Sequence, residues 1–409
     1  MGHQGNTVEN TSVRPNIFQK AYQYKDADEA REAGIYPYFR VIHSDQDTNV
    51  KLNGSDVLML GSNSYLGLTN HPYVKEKDRE AIDMYGTGCA GSRFLNGTLD
   101  IHIQLEERLA KLVDKEAALV FATGYQANLG AISALASTRN DLVITDKLDH
   151  ACIIDGVRMS FGEMVRYNHS DMNHLEKLLQ QHKDRPKIIA TDGVFSMDGD
   201  IAKLNDVTYL ADKYAAQVFV DEAHSIGVLG EHGGGSAQYL GLEDQTELIS
   251  GTFSKSLASV GGFVAGDEKV IDYIKHHARS MIFSASLPPG SAGSVLGALD
   301  IMEQEPERMQ KLWDNTHYMM HHLQDMGFDI GKSETPIVPV IIGDDTTTFQ
   351  MWKMLQEANI FVNPTIPPAV AKGQSLIRTS YMATHTKDQL DYALMQFKKA
   401  GEELGVLQR

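Results

Sequence analysis

Cysteine is nearly absent from this sequence: among 409 residues only Cys89 and Cys152 carry a thiol. Two thiols make neither a disulfide framework nor a zinc site by themselves, and both read as small buried residues in a reducing compartment. Basic charge is short as well. The 37 Lys and Arg face 54 Asp and Glu, a formal charge of −17, which excludes a general grip on nucleic-acid phosphates. A local basic pocket for an anionic ligand stays compatible with that total. No run approaches the ~20 apolar residues that cross a bilayer. Residues 1–16 are polar and lack the apolar core of a signal peptide. A cytosolic location is expected. Internal repeats and low-complexity tracts are missing too.

What is present is an ordinary globular composition, 42% hydrophobic and 22% charged, in a chain long enough for a main domain and a smaller one. We expect an N-terminal arm and helix over 1–58, a large domain over 59–290 and a C-terminal α+β domain over 291–409. Within the arm, 21–33 reads as helical, and 34–40 sets Tyr36, Tyr38 and Phe39 around Pro37. An apolar run at 57–60 reads as a strand. From there, short apolar runs at 117–122, 142–145, 187–191, 217–220, 248–250 and 262–265 alternate with helix-length segments such as 101–113, 174–182 and 204–214. Short buried strands between helices predict an α/β fold with a mainly parallel sheet covered on both faces. After Pro288 and Pro289, residues 291–323 read as one long helical stretch. Strands at 337–342 and 376–379 and a helix at 387–404 complete the chain.

Three short patterns point the wrong way. Residues 86–91 spell the dinucleotide fingerprint, but 74–85 before them look helical where the fingerprint needs a strand. Asp221-Glu-Ala-His224 spells a helicase box without its phosphate loop; the nearest match, 327–333, has one residue too few between its glycines. The run 275–279, with Lys275, His276, His277 and Arg279, reads as a solvated helix face.

Four features carry chemistry together. Lys255 stands just after a strand among Thr252, Ser254 and Ser256. Asp221 ends the strand at 217–220, where a side chain points into the ligand crevice of an open α/β sheet, and His224 follows. Gly124 and Tyr125 join a strand to a helix N-terminus, a natural anion cradle. His150 again follows a strand. Singly, each has a structural explanation: a turn lysine, a helix-capping aspartate, a core histidine. In this order, with the lysine 34 positions after the aspartate (255 − 221), they match the needs of pyridoxal 5′-phosphate (PLP). That cofactor takes an amine for its Schiff base, an acid at its pyridine nitrogen, a phosphate cradle and a partner for its ring face.

At these residues the chain resembles the α-oxoamine synthase family of PLP enzymes. The resemblance runs from about Gly34 to the C-terminal helix. It rests on Asn63-Ser-Tyr-Leu-Gly67, Thr123-Gly-Tyr-Gln-Ala-Asn128, Asp149-His-Ala151, segment 192–199, Asp221-Glu-Ala-His224, Gly251-Thr-Phe-Ser-Lys255 and Ile377-Arg-Thr-Ser380. It implies the aminotransferase-like fold (fold type I), with a mainly parallel seven-stranded sheet and a smaller α+β C-terminal domain. By the same resemblance Lys255 binds the cofactor covalently and later acts as base, and Asp221 pairs with the ring nitrogen. His224 and Ser196 address the ring hydroxyl, His150 stacks on the ring, and Gly124, Tyr125, Thr252 and Ser254 surround the phosphate. Family members are homodimers with shared sites, so Ser284 is expected to reach the phosphate bound by a partner subunit. Relatives often carry a polar residue where this chain has Ala285. Asn63, Arg378 and His150 would hold the substrate carboxylate, the arginine through its bidentate fork. No metal is implied.

The implied reaction is a decarboxylative condensation of L-serine with a long-chain acyl-CoA. Segments 85–97, 251–259 and 380–386 favour serine, and Ser92 is expected to help choose between serine and glycine. Glycine with a short acyl-CoA is the alternative, since it shares the Ser92-Arg-Phe94 and Ile377-Arg-Thr379 runs. A plain aminotransferase and a non-catalytic subunit of the same fold are the other rivals. The joint presence of Lys255, Asp221, His150 and Arg378 argues against the last. Tyr36, Tyr38 and Phe39 are candidates to line an acyl path, and so apolar a substrate allows peripheral contact with the inner membrane surface. Nucleic acid is not an expected partner.

Overall fold

A computed structural model describes residues 16–407, in two compact units that meet in sequence at Arg40. The first unit holds two short helices, Gln19–Tyr22 and Asp26–Glu32, where one helix over 21–33 was expected. The break has a local cause. Asp26, Asp28 and Glu29 crowd one turn, where acidic side chains favour a helix start over a helix interior. Arg31 closes this unit on itself, pairing with Asp28 and lying 4.5 Å over the Tyr36 ring.

The second unit opens with the hairpin β1 (Asn49–Leu52) and β2 (Ser55–Met59). Asn53 and Gly54 connect them at φ 50° and 85°, the left-handed pair that a tight two-residue turn requires. The large sheet then takes β3 (Ala117–Phe121), β4 (Leu142–Asp146), β5 (Glu163–Tyr167), β6 (Lys187–Asp192), β7 (Gln217–Asp221), β8 (Leu248–Thr252) and β9 (Gly262–Gly266). Their spatial order is β3-β9-β8-β7-β6-β4-β5. Pairings among β4 to β8 are parallel, and β9 alone runs against its neighbours. The seven-stranded, mainly parallel sheet is therefore present. Its edge strand β5 escapes the sequence pattern because Glu163 and Arg166 interrupt a five-residue run whose pattern is mostly solvent-facing.

Helices cover both faces of this sheet, as a two-sided parallel sheet demands. Phe121, Val143 and Phe219 pack with Ala131 and Ile274 on one side, while Ile144, Val218 and Val220 pack with Leu175 and Val207 on the other. Each fully buried side chain of this size contributes about 1.5–3 kcal/mol. A third cluster joins Phe253 and Phe263 to Leu105 and Val295.

The remaining strands are β10 (Ile337–Gly343), β11 (Ile360–Phe361), β12 (Asn363–Thr365) and β13 (Ser375–Ser380). They form a small antiparallel sheet, β10-β13-β12, while β11 extends the first hairpin as β1-β2-β11. The stretch expected as one helix over 291–323 is two, Pro289–Gln304 and Glu307–Asp325. Pro306 causes the break, since it lacks an N–H and disfavours helical backbone in the residue before it. Helix Pro289–Gln304 packs along helix Pro72–Tyr85, so the expected boundary at 290 falls inside a helix that belongs to the core of Leu105 and Val295.

Candidate active site

Because only β9 is reversed, the C-terminal ends of β3, β4, β6, β7 and β8 share one edge, the usual position of a ligand crevice. The loops leaving that edge carry Gly124, His150, Ser196, His224 and Lys255 in turn, and Asp221 is the last residue of β7. They enclose a cavity of about 330 Å³, lined also by Tyr125, Asn128, Cys152, Asp192, Ala223, Thr252, Ser254 and Val260.

The acid end is preorganised. Asp221 Oδ1 accepts the Ala223 N–H at 3.0 Å, and Oδ2 accepts Asn128 Nδ2–H at 2.7 Å. Ser250 fixes which way the Asn128 amide points, donating its hydroxyl to Oδ1 at 2.9 Å. The Lys255 amine makes no hydrogen bond among the described residues. Burial pushes it down to about 8, against the pull of the Asp221 and Asp192 charges. That brings a lysine into the range of a working base or nucleophile.

His150 caps helix Ala151–Arg158. Its backbone N–H donates to Asp192 Oδ2 at 2.8 Å, and its Nδ1 accepts the Cys152 N–H at 3.3 Å. Asp192 is placed in turn by Asp149, which accepts both the Asp192 and Asp146 amides. Burial first, then neighbouring carboxylates, raises the pKa of Asp149 and of Asp192. Burial lowers that of His150 against the pull of the Asp221 charge, and the Lys255 charge adds to the lowering. At neutral pH the imidazole is uncharged.

The opposite end is built for an anion. Helix Gly124–Leu135 starts at the cavity, capped by Thr123, and its first N–H groups are free of intrahelical partners. Thr252 and Ser254 share a 2.9 Å hydrogen bond beside it. Gly124 is required here, since an added methyl would lie 2.8 Å from Thr252 Cβ and Oγ1. The Tyr125 hydroxyl donates to Asp155, leaving its backbone as the part that faces the cradle.

The remaining polar groups link the large sheet to β13. Arg378, buried, donates from Nε to the Ser196 carbonyl at 2.7 Å and from Nη2 to Asn63 Oδ1 at 3.1 Å. Tyr65, fully buried, places its hydroxyl 2.7 Å from His224 Nδ1. Burial holds His224 well below the usual imidazole range, and the Lys255 and Arg378 charges push the same way.

An amine, a hydrogen-bonded carboxylate and a helix N-terminus with two hydroxyls thus surround one cavity, the donor set that PLP takes. The sequence matches the family model of class I and II aminotransferases over residues 55–397. The chain belongs to this family, in its α-oxoamine synthase branch. A serine palmitoyltransferase of Sphingobacterium spiritivorum is 54% identical over 92% of this chain and 95% of its own length. An 8-amino-7-oxononanoate synthase of Thermoanaerobacter pseudethanolicus is 43% identical over 93% and 96%. Among solved structures, a serine palmitoyltransferase described with PLP superposes with a TM-score of 0.93, at 35% identity, over 96% of this chain and all of that one.

Of the residues singled out from sequence, nine line the cavity: Gly124, Tyr125, His150, Ser196, Asp221, His224, Thr252, Ser254 and Lys255. Arg378 stands one contact behind it, through Ser196, and Asn63 one further, through Arg378. Ser284 bonds Gln126 of its own chain at 3.1 Å, and Ser92 is buried with its hydroxyl unpartnered; neither lines the cavity. Tyr36, Tyr38 and Phe39 fall in the first unit. Sequence reasoning missed Asn128, Cys152, Asp192 and Tyr65. Both cysteines were expected to be small buried residues; Cys152 is buried, in the lining of the site, whereas Cys89 is partly exposed. The motif segments already contained Asn128 and Asp192; the missing signal was which side chains on facing elements meet.

Proposed function

We propose that this chain is a serine palmitoyltransferase, joining L-serine to a long-chain acyl-CoA with release of CO₂ and CoA to give 3-oxosphinganine. The observation that carries the reading is the meeting of an unbonded Lys255 amine with Asp221, His150 and a helix N-terminus in one cavity, with Arg378 behind it. The relatives that bear this name support the choice within the family.

Pyridoxal 5′-phosphate is the cofactor in this reading. Lys255 would hold it covalently, Asp221 at the ring nitrogen, His224 and Ser196 at the ring oxygen, and Thr252, Ser254 and the Gly124–Tyr125 amides at the phosphate. When bound, it supplies an electron sink for negative charge at the substrate Cα. His150 and Arg378 bind the serine carboxylate. Lys255 Nζ takes the Cα proton, a role that suits an amine brought down to about 8. The Cα–acyl bond forms as the thioester C–S bond breaks and CoA leaves as its thiol. The Cα–carboxylate bond then breaks to release CO₂, and a proton returns to Cα.

The reading includes a homodimer in the cytoplasm. Phe94 and Leu95, on the segment with Ser92, and Phe283, beside Ser284, are exposed large apolar side chains that a second copy would cover. No helix among the described residues is long and apolar enough to cross a membrane.

The test is a titration of cofactor-loaded protein with L-serine and with glycine, followed by palmitoyl-CoA. Serine should give a saturable change in visible absorption, and the thioester should then release CoA. A response to glycine alone, with only short acyl-CoA reacting, would move the function to glycine C-acetyltransferase.

A further inference from the structure

Cys152 is the second residue of helix Ala151–Arg158, only 2% exposed, and it lines the cavity. Three contacts tie it to the two groups expected to face the cofactor ring. Its N–H donates to His150 Nδ1 at 3.3 Å, its Sγ lies 2.9 Å from that nitrogen, and its thiol faces Asp221 Oδ2 at 3.7 Å. The amide favours one tautomer. An N–H cannot point at a nitrogen that carries its own hydrogen, so Nδ1 presents its lone pair and the proton of the neutral ring stands on Nε2. Among the described residues Nε2 has no protein partner, and His150 lines the cavity.

The thiol completes the arrangement. Burial and the Asp221 and Asp192 charges push it up, so it keeps its hydrogen. That hydrogen has an acceptor on either side, and neither choice places a proton on Nδ1. Without the sulfur, the Asp221 carboxylate would act on Nδ1 directly and favour a proton there.

We propose that Cys152 is a positioning residue that holds His150 as its Nε2–H tautomer by taking the place beside Asp221 that Nδ1–H would otherwise use. His150 then meets an amino-acid carboxylate as a hydrogen-bond donor and leaves the Cα proton to Lys255. The substrate half of this inference rests on the function proposed above; the tautomer half does not.

Nitrogen NMR of ¹⁵N-histidine-labelled protein without substrate, with His150→Asn for assignment, tests the tautomer. The wild type and Cys152→Ser should show one neutral Nε2–H form for His150, and Cys152→Ala a mixture with Nδ1–H. In visible titrations of cofactor-loaded protein, Cys152→Ala should weaken L-serine binding about twofold, in proportion to the share of rings lost to the Nδ1–H form. Ethanolamine, which lacks the carboxylate, should bind as before, and Cys152→Ser should restore serine binding. An Nδ1–H ring in the wild type overturns the proposal. So does a Cys152→Ala protein with wild-type tautomer and wild-type serine affinity, or an equal loss for ethanolamine. A wild type that shows the expected tautomer but no response to serine overturns the proposed function and leaves the tautomer standing.

Discussion

The two ends of the large sheet both hold lysines that are buried or half-buried, Lys187 and Lys115 at one and Lys255 at the other, and use them in opposite ways. At the N-terminal ends of the parallel strands, Lys187 opens β6 and donates to the Lys183 and Arg185 carbonyls at 3.1 and 2.9 Å. Lys115, just before β3, donates to the Glu243 carbonyl. A cavity of about 520 Å³ lies there, yet its acids are engaged locally as well. Glu247 accepts the Val218 amide at 2.7 Å, and Asp267 caps helix Glu268–His277. At the C-terminal ends, Lys255 has no such partner and faces Asp221 and Asp192 across the site cavity. Burial pushes all three amines down. A lowered lysine pKa therefore does not mark function here; a lowered amine without a backbone acceptor does.

The largest expected effect tests that distinction directly. Lys255→Ala should cut turnover on the order of 10⁴-fold or more and remove the absorption of covalently held cofactor, while the protein stays folded. Lys187→Met should do the reverse, lowering stability by about 1–3 kcal/mol through two unsatisfied carbonyls, with turnover per folded molecule unchanged. Parallel assays of turnover and thermal unfolding on the two variants suffice. Equal losses of activity would erase the contrast between the two ends.

A second expectation follows from the Lys255 amine standing at about 8. Below that pH most of the amine is protonated and cannot form a Schiff base. The rate at which cofactor-free protein captures PLP should rise about tenfold per unit up to pH ~8 and level off above it. Stopped-flow absorbance measures it. A rate still rising steeply above pH 9 would mean that the lysine keeps its ordinary pKa.

The residues of the catalytic edge were legible because each stands at a fixed place in a local pattern. A strand end is visible in a run such as Gln217 to Asp221, and the next polar residue is then a candidate. The Asn53-Gly54 turn was equally readable, as a two-residue hairpin signal, but it was not used: the strand read at 57–60 became β2, and β1 was not assigned. What no local pattern carries is the network behind the edge. Asn128 reaches Asp221 only because its helix packs on β8, where Ser250 turns its amide. Tyr65 reaches His224 across 159 positions of chain. The break at Pro306 lay in view, since proline interrupts helices for a local steric reason, and the apolar periodicity on either side concealed it.

His169 offers a third, intermediate test, because it joins charges at the catalytic edge that serve structure. Its Nδ1 lies 3.1 Å from Asp146 Oδ1 and its Nε2 2.9 Å from Asp200 Oδ2, tying the end of β4 to the loop that carries Ser196. Burial opposes its charge, but these bonds outweigh it and push the ring up to about 10. The folded pKa thus lies above the unfolded value of ~6.5. The stabilisation is fully present below pH ~6.5 and fades as pH rises through 10. His169→Gln should cost about 2–3 kcal/mol at pH 6.5, less than a fully buried pair because the ring is partly exposed. By pH 10 the thermal midpoints of variant and wild type should nearly converge. A constant difference across that range would assign the loss to packing rather than charge.

The smallest expected effects separate two buried hydroxyls that lack a partner. Thr246 Oγ1, fully buried, lines the cavity at the N-terminal end of the sheet, and Ser92 Oγ lies in the segment that resembles serine-using relatives. An unpartnered buried hydroxyl costs stability, so replacing Thr246 by the isosteric Val should be neutral or stabilising by up to about 1 kcal/mol. If the same holds for Ser92→Ala and nothing else changes, Ser92 is only a tolerated defect. If Ser92 helps to choose the amino acid, Ser92→Ala should shift the ratio of kcat/KM for serine over glycine by about 3–10-fold, the worth of one hydrogen bond. Competition between the two amino acids for loaded protein measures that ratio. The comparison turns on specificity rather than stability, because a structural defect and a recognition group look alike until a substrate discriminates them.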